Sequence, residues 1–279
     1  MEEPFIGSEA VAAGELTKHA LRTRFVAVHR DVYVSAGTEL TAVSRAKAVW
    51  LWGGRTGVVA GRSAAALHGA KWAEASMAAE LLYPNRRPPP GIRTWSDRLA
   101  DDEVQVVSGV AVTTPARTAL DIACRHPQGA AVAALDSLAR ATGLKPADVE
   151  LLAERYRGRR GIRAAASAVD LMDAGAESPQ ETRVRLLLIR AGFPRPETQL
   201  PVYDEYGQLV AVLDMGWRDV MVGVDYEGEH HWRTRREFGR GIRRHDAVTG
   251  LGWIDIRVTA EDTDASIVEW VRRARDRRT

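Results

Sequence analysis

Residues 178–232, SPQETRVRLLLIRAGFPRPETQLPVYDEYGQLVAVLDMGWRDVMVGVDYEGEHHW, decide how the chain is read. Helical spacing over 179–191 places Leu186, Leu187 and Ile189 among the apolar positions, and Ser178 can cap the start. Gly192 stops that helix, and Pro194 and Pro196 keep it from resuming. A β-hairpin follows about the turn Asp204–Gly207. The run VMVGVDYEG then has the continuous apolar character of a buried central strand. Side chains alternate along a strand, so Asp225 and Glu227 share a face, roughly 6–7 Å apart. If the preceding strand pairs beside this one, Asp214 approaches the same point.

Carboxylates gathered on an apolar sheet are costly unless a cation or a proton neutralises them. Asp214, Asp225 and Glu227 at this spacing suit a hard cation with oxygen ligands, Mg²⁺ or Mn²⁺, rather than zinc. Such an ion would lower the pKa of bound water and offset charge on a phosphodiester. Glu181 follows Ser178 by three residues, so a capping box accounts for it, and a capping glutamate can also reach a metal through water. Asp214 can equally cap the turn before Trp217, whereas Asp225 interrupts an apolar run that continues past it.

The following segment, GEHHWRTRREFGRGIRRHD, adds candidates of another kind. Gly228 permits close approach of DNA or another backbone. His231 could act as general acid or hold the leaving phosphate, and Trp232 could stack on a base or sugar. Arg240, Arg243 and Arg244 at helical spacing suit phosphate clamping. The plainer reading is a solvated helix with an ion pair from Arg243 or Arg244 to Asp246. LGWIDIRV makes a fourth strand.

At 279 residues the chain is long enough for two domains and a helical piece between them. The net charge is only +2, but arginines crowd 233–244 and 272–278, and local density governs nucleic-acid binding more than the total. The single cysteine, Cys124, excludes an internal disulfide and a cysteine-based zinc site, and reads as a small apolar residue on a helix. Neither a signal peptide nor a membrane span is legible, so the expected location is the cytoplasm.

Residues 8–35 read as a helix-turn-helix with a wing. Ser8 can cap a first helix broken by Gly14; Thr17 can cap a second, exposing Lys18, His19, Arg22 and Arg24. FVAVHRDVYVSAG alternates and turns at Arg30-Asp31. The second helix could enter a major groove while the hairpin touches phosphates. Residues 39–72 are helical in pattern, with Trp50 and Trp52 at core or interface positions and His68 a packed histidine. After a short strand and a proline-rich loop, VQVVSGVAVTTPARTALDIA gives two strands and a helix with Pro115 in its first turn and Thr114 as cap. From Pro115 to Ala174 the chain reads as mostly helical. A boundary falls near Gly175, giving three expected domains: 1–60, 61–175 and 176–279.

The order Ser178-x-x-Glu181, Leu213-Asp214, Val224-Asp225-Tyr226-Glu227-Gly228-Glu229-x-His231-Trp232, Asp246, Gly252-Trp253, Arg257 resembles a known domain. It is similar to the very-short-patch-repair-like endonuclease domain of the PD-(D/E)XK nuclease superfamily. Residues 1–60 resemble the winged-helix module of the abortive-infection (AbiEi-like) type IV antitoxin family, and GRSAAALHGA and TPARTALDIA resemble segments of the region behind it. The resemblance implies an α/β (α+β) multi-domain chain: winged helix, helical middle region, and a restriction-endonuclease-like mixed sheet flanked by helices. Glu181, Asp214 and Asp225 match the superfamily's acidic positions, while Glu227 stands where a lysine is usual. The mismatch-repair relatives place their histidines differently from His231, and thymine–guanine specificity does not carry over.

Two functions follow as expectations. One is a metal-dependent DNA endonuclease or nickase in repair or defence, binding DNA through Lys18, His19, Arg22, Arg24, Trp232, Arg240, Arg243 and Arg244. The other is a non-catalytic DNA-binding regulator of antitoxin type that uses the nuclease fold as a scaffold. DNA is the expected partner, with a homodimer or a toxin-like partner left open.

Overall fold

Described below are residues 3–73, 76–85, 87–228 and 235–278 of a computed structural model, the side chains of 235–242 excepted. The chain divides into two compact units, one ending at Met172 and the other starting at Asp173, close to the expected boundary.

The first unit begins with β1 (Phe5–Ile6), α1 (Gly7–Ala12), α2 (Lys18–Arg24), β2 (Phe25–His29) and β3 (Val32–Ser35). The three strands form one sheet in the order β1-β3-β2. Thr17 caps α2 as read, its hydroxyl accepting the Ala20 N–H at 3.0 Å. Ser8 does not cap α1. It lies inside that helix, and its N–H and hydroxyl both donate to Asp31 at the hairpin turn, so the serine fastens the wing to the helix. Asp31 takes a left-handed φ of 62°, which the tight turn demands. Phe5 packs edge-on against Phe25 at 5.1 Å, a small aromatic core for so short a module.

Next come α3 (Ala42–Trp52), β4 (Val58–Val59), α4 (Gly61–Leu67), β5 (Ala79–Leu82), β6 (Ile92–Trp95), β7 (Val104–Val107) and β8 (Val110–Thr113). The middle region is helical as read, and it also carries a five-stranded sheet of order β6-β5-β4-β8-β7. Its central strand, β4, has two residues, too few for any periodicity to announce it. Ala46, Val49, Ala64 and Leu67 of the two helices pack on Val59, Leu81 and Val112 of the sheet, with Trp50 and Trp52 partly buried against that core. His68 is a packed histidine: its Nε2 lies 2.7 Å from the Thr113 carbonyl, and burial holds its pKa down.

Four helices complete the unit: α5 (Pro115–Arg125), α6 (Gln128–Thr142), α7 (Pro146–Ala153) and α8 (Ile162–Asp170). Pro115 opens α5, but Thr114 makes no side-chain cap. Arg117 on α5 is fully buried, a costly placement that the chain offsets with acids on three sides. Its guanidinium pairs with Asp121 one turn on and with Glu103, and donates to the Tyr156 hydroxyl at 2.8 Å. Tyr156 in turn donates to Glu103 at 2.7 Å, and burial together with that bond pushes its pKa up to about 12. Arg125 and Arg159 close the network on Asp97 and Asp121.

The second unit runs α9 (Pro179–Arg190), β9 (Glu197–Tyr203), β10 (Leu209–Trp217), β11 (Val222–Tyr226), α10 (Arg235–Gly250), β12 (Ile254–Val258) and α11 (Asp264–Asp276). Ser178 caps α9, and Gly192, at a φ of 90°, lets the chain turn away after it. The sheet order is β12-β11-β10-β9, so the apolar strand is central as expected. β9, β10 and β11 are antiparallel neighbours, while β12 runs parallel to β11. Val184 and Leu188 of α9 and Ile267 and Val271 of α11 pack on Met215, Val222, Val224 and Val258. Burying each such side chain contributes about 1.5–3 kcal/mol. A second cluster joins Val248 of α10 to Leu200, Val202, Ala211 and Leu213. Helices therefore flank a mixed sheet, and no helix among the described residues is long and apolar enough to cross a membrane.

Candidate functional site

Leu213 and Met215 lie two residues apart on β10, yet they pack into different clusters. Ordinary alternation would send both to one face, so the alternation breaks at Asp214, although the register with β9 is the same on either side. Opposite the break, between the pairs Leu213↔Leu200 and Met215↔Thr198, Gln199 takes a left-handed φ of 48°. The irregularity turns Asp214 toward β11. There its Oδ2 accepts the N–H of Tyr226 at 2.7 Å, while the N–H of Asp214 donates to Oδ1 of Asp225 at 2.8 Å. Each carboxylate thus holds a main-chain amide of the other strand.

Both groups are largely buried and pay for it in proton affinity. Burial, then the neighbouring charges of Asp225 and Glu181, raises the pKa of Asp214 to about 7, against the pull of the Tyr226 amide. Burial likewise raises Asp225 to about 6, with Arg244 pulling down and Asp255 pushing up. Arg244 of α10 lies 2.7 Å from Oδ2 of Asp225 and also donates to the Val212 carbonyl. The arginine expected to pair with Asp246 or clamp phosphate therefore serves the sheet.

Only half of the expected capping box forms: Ser178 Oγ accepts the Glu181 N–H at 3.2 Å and donates to Oε1 at 2.8 Å, while Oε2 accepts the N–H of Glu177 at 2.8 Å instead of that of Ser178. The charge of Glu181 still reaches Asp214, so the structural and electrostatic roles coincide in one side chain. Glu227 shares a face with Asp225 as expected, but its carboxylate pairs with Arg257 on β12 at 2.9 Å. Arg243 is exposed, whereas His231, Trp232 and the side chain of Arg240 lie outside the described residues. On the first unit, Lys18, His19, Arg22 and Arg24 are all exposed on α2 beside the hairpin.

The sequence reading missed Asp255 and His245. Gly223 of β11 pairs with Asp255 of β12, which brings this acid onto the face that carries Asp225. Its side chain is 2% exposed and accepts from His245 Nδ1 at 2.6 Å. The available signal was the alternation Ile254-Asp255-Ile256-Arg257, which equally describes a strand with one wet face.

Both oxygens of Asp225 are engaged, one by the Asp214 amide and one by Arg244, while Asp214 has no cation at hydrogen-bond distance among the described residues and holds the Tyr226 amide on Oδ2. Glu181 has both oxygens engaged at the start of α9, and Glu227 is committed to Arg257. Among the described residues no group of three or more histidines, cysteines or acids is arranged to hold a metal.

Residues 57–174 match the AbiEi antitoxin C-terminal domain. The chain is also 31% identical over 229 residues to uncharacterized protein MT2308 of Mycobacterium tuberculosis strain CDC 1551, spanning 82% of this chain and 84% of that one. The same figures hold for uncharacterized protein Rv2248 of strain H37Rv. The chain belongs to the family of these mycobacterial proteins. That match covers more of the chain than the antitoxin domain does. No solved structure matches it.

Proposed function

We propose that the chain is a DNA-binding regulator of the antitoxin type, with α2 and the β2–β3 hairpin as its DNA reader. The observation that carries this is the antitoxin domain at 57–174, set directly behind a helix that exposes Lys18, His19, Arg22 and Arg24. A helix with basic residues on its open side can lie in a major groove, and the hairpin clasped to α1 by Ser8 and Asp31 can then rest on phosphate. The antitoxin match also supports a toxin-like partner. Fluorescence anisotropy on a labelled duplex from the chain's own promoter region tests the reading across salt concentrations. Arg22→Ala should weaken binding and lower the salt slope by about 1. Binding unchanged when Lys18, Arg22 and Arg24 are all replaced by alanine would remove the assignment.

A second reading rests on one observation, the facing pair Asp214 and Asp225 with both pKa values raised toward neutrality. In this reading the second unit is a metal-dependent endonuclease, and Asp214 and Asp225 hold Mg²⁺ or Mn²⁺. A bound cation of that kind supplies Lewis acidity and an ionisable water. Glu181 would add negative charge beside Asp214, and Arg244 would set how much charge Asp225 retains. Nicking of supercoiled plasmid with Mg²⁺ or Mn²⁺ tests it. Cleavage that survives both Asp214→Asn and Asp225→Asn sinks the site, and no cleavage of duplex, nicked, mismatched or single-stranded DNA favours the regulator alone.

A further inference from the structure

Helices α5, α7 and α8 do not fill the space between them. A cavity of about 260 Å³, open on one side, lies where they meet. Its wall is apolar: Leu120 from α5, Val149 and Ala153 from α7, Ala165 and Val169 from α8. The spacing i, i+4 repeats on both flanking helices, so each turns one continuous stripe toward the space. Two of those five positions are alanine, and a methyl group stands where a branched side chain would close the gap. The opening faces solvent, so a guest would bury apolar surface on one side only.

The mouth has a different chemistry. Glu150 and Glu154, one helical turn apart, line it together with Arg157. Arg157 and Glu154 approach to 3.9 Å, and both are exposed, so they offset each other. Glu150 remains, giving the rim one net negative charge. Apolar depth beneath a negative rim fits a ligand with an aliphatic or single-ring body and a cationic head.

The walls are also held from behind, which keeps the shape in place without a guest. Tyr156 and Arg159 flank Arg157 in sequence, and they reach back to Glu103, Arg117 and Asp121 in the buried network. Asp121 follows Leu120 directly on α5, so the same network fixes the cavity floor.

We propose that this cavity is a binding site for a small hydrophobic amine, formed within the antitoxin-like region and separate from both the DNA-reading helix and the acidic centre. Its volume admits a molecule of about ten heavy atoms, below the range of drug-sized pockets, so weak millimolar binding of a probe is the scale to expect. The chemistry selects an amine over a carboxylate of the same shape. The site stands whichever reading of the second unit holds.

The test uses the full chain and three matched probes: 2-phenylethylamine, 3-phenylpropionate and ethylbenzene, followed by amide chemical shifts. We expect shifts confined to α5, α7, α8 and the 154–161 segment, with the amine binding about five-fold tighter than the acid, the scale of one exposed ion pair. Glu150→Gln alone, which leaves the Glu154–Arg157 pair neutral at the rim, should bring that preference below about two-fold. Ala153→Leu should weaken both probes about ten-fold by filling the space, and Ala166→Leu, at an exposed lining position, repeats the test if the first variant does not fold. Equal or reversed preference in the wild type overturns the proposal. So does binding that survives both filling variants, or no shift in these helices with any probe.

Discussion

In the first unit Arg117, Arg125 and Arg159 meet Asp97, Glu103 and Asp121, cation for acid, in a cluster closed by Tyr156. In the second, Glu181, Asp214, Asp225 and Asp255 converge on Arg244 and the His245 ring. Both clusters sit in low-dielectric surroundings, where an uncompensated charge is expensive. The first removes the cost internally and is a structural clamp. The second leaves part of it standing, visible as carboxyl groups that hold protons near neutrality. The acid-rich cluster keeps more carboxyl groups than cations, and the balanced one does not.

The comparison breaks first at Arg117. Arg117→Met would strand Glu103 and Asp121 without their shared partner, and should cost about 3–5 kcal/mol of first-unit stability in urea denaturation. Arg157→Ala, which loosens only an exposed pair with Glu154, is the control and should leave the midpoint in place. If both variants behave alike, the clamp is not what holds this unit.

Asp214→Asn tests the other side, with the opposite sign. Between the ordinary carboxyl value of 3.8 and about 7, the folded chain keeps a proton at Asp214 that the unfolded chain has released. The native state therefore loses stability as pH rises through that window, the reverse of a salt-bridged aspartate. Removing the charge should stabilise the metal-free second unit by about 1–3 kcal/mol at pH 8, and the gain should vanish near pH 4. A destabilised variant at pH 8 would show that the cluster is already balanced. Mn²⁺ should erase the difference by stabilising the wild type alone, provided the cation binds there.

A smaller effect belongs to Arg244, whose side chain is 40% exposed and so partly screened. Arg244→Gln should cost about 1 kcal/mol at pH 8 and less at pH 5, where Asp225 takes up its own proton. The smallest belongs to Arg272→Ala, which breaks a solvent-facing pair with Glu269 on α11 and should leave the thermal midpoint where it was.

Local signals announced much of this. Ser178 and Gly192 bound α9 because capping and left-handed turning are local chemistry, and Asp225 stood out because a charge interrupts an apolar strand. The facing of Asp214 and Asp225 followed from hairpin pairing between neighbouring strands. Asp255 could not be found that way. It joins the cluster through a parallel pairing across the whole of α10, and no spacing within β12 encodes its partner. β4 was hidden for a different reason: two residues have no period. Arg117 and Asp121 do have the spacing of a helical ion pair, but such pairs usually face water, and only the fold makes this one internal.

Where β10 passes β11 at Asp214 and Asp225, two side chains do the fastening that peptide carbonyls do elsewhere along the ladder. The oxygens of a carbonyl are indifferent to pH and to modest changes in salt, and those of a raised-pKa carboxylate are not. The middle of the sheet is therefore sewn with two stitches whose tension depends on the solution, between rows whose tension does not. Amide hydrogen exchange at Asp214 and Tyr226 should follow pH and divalent cations, while Met215 and Val224, one step along, keep the same protection throughout.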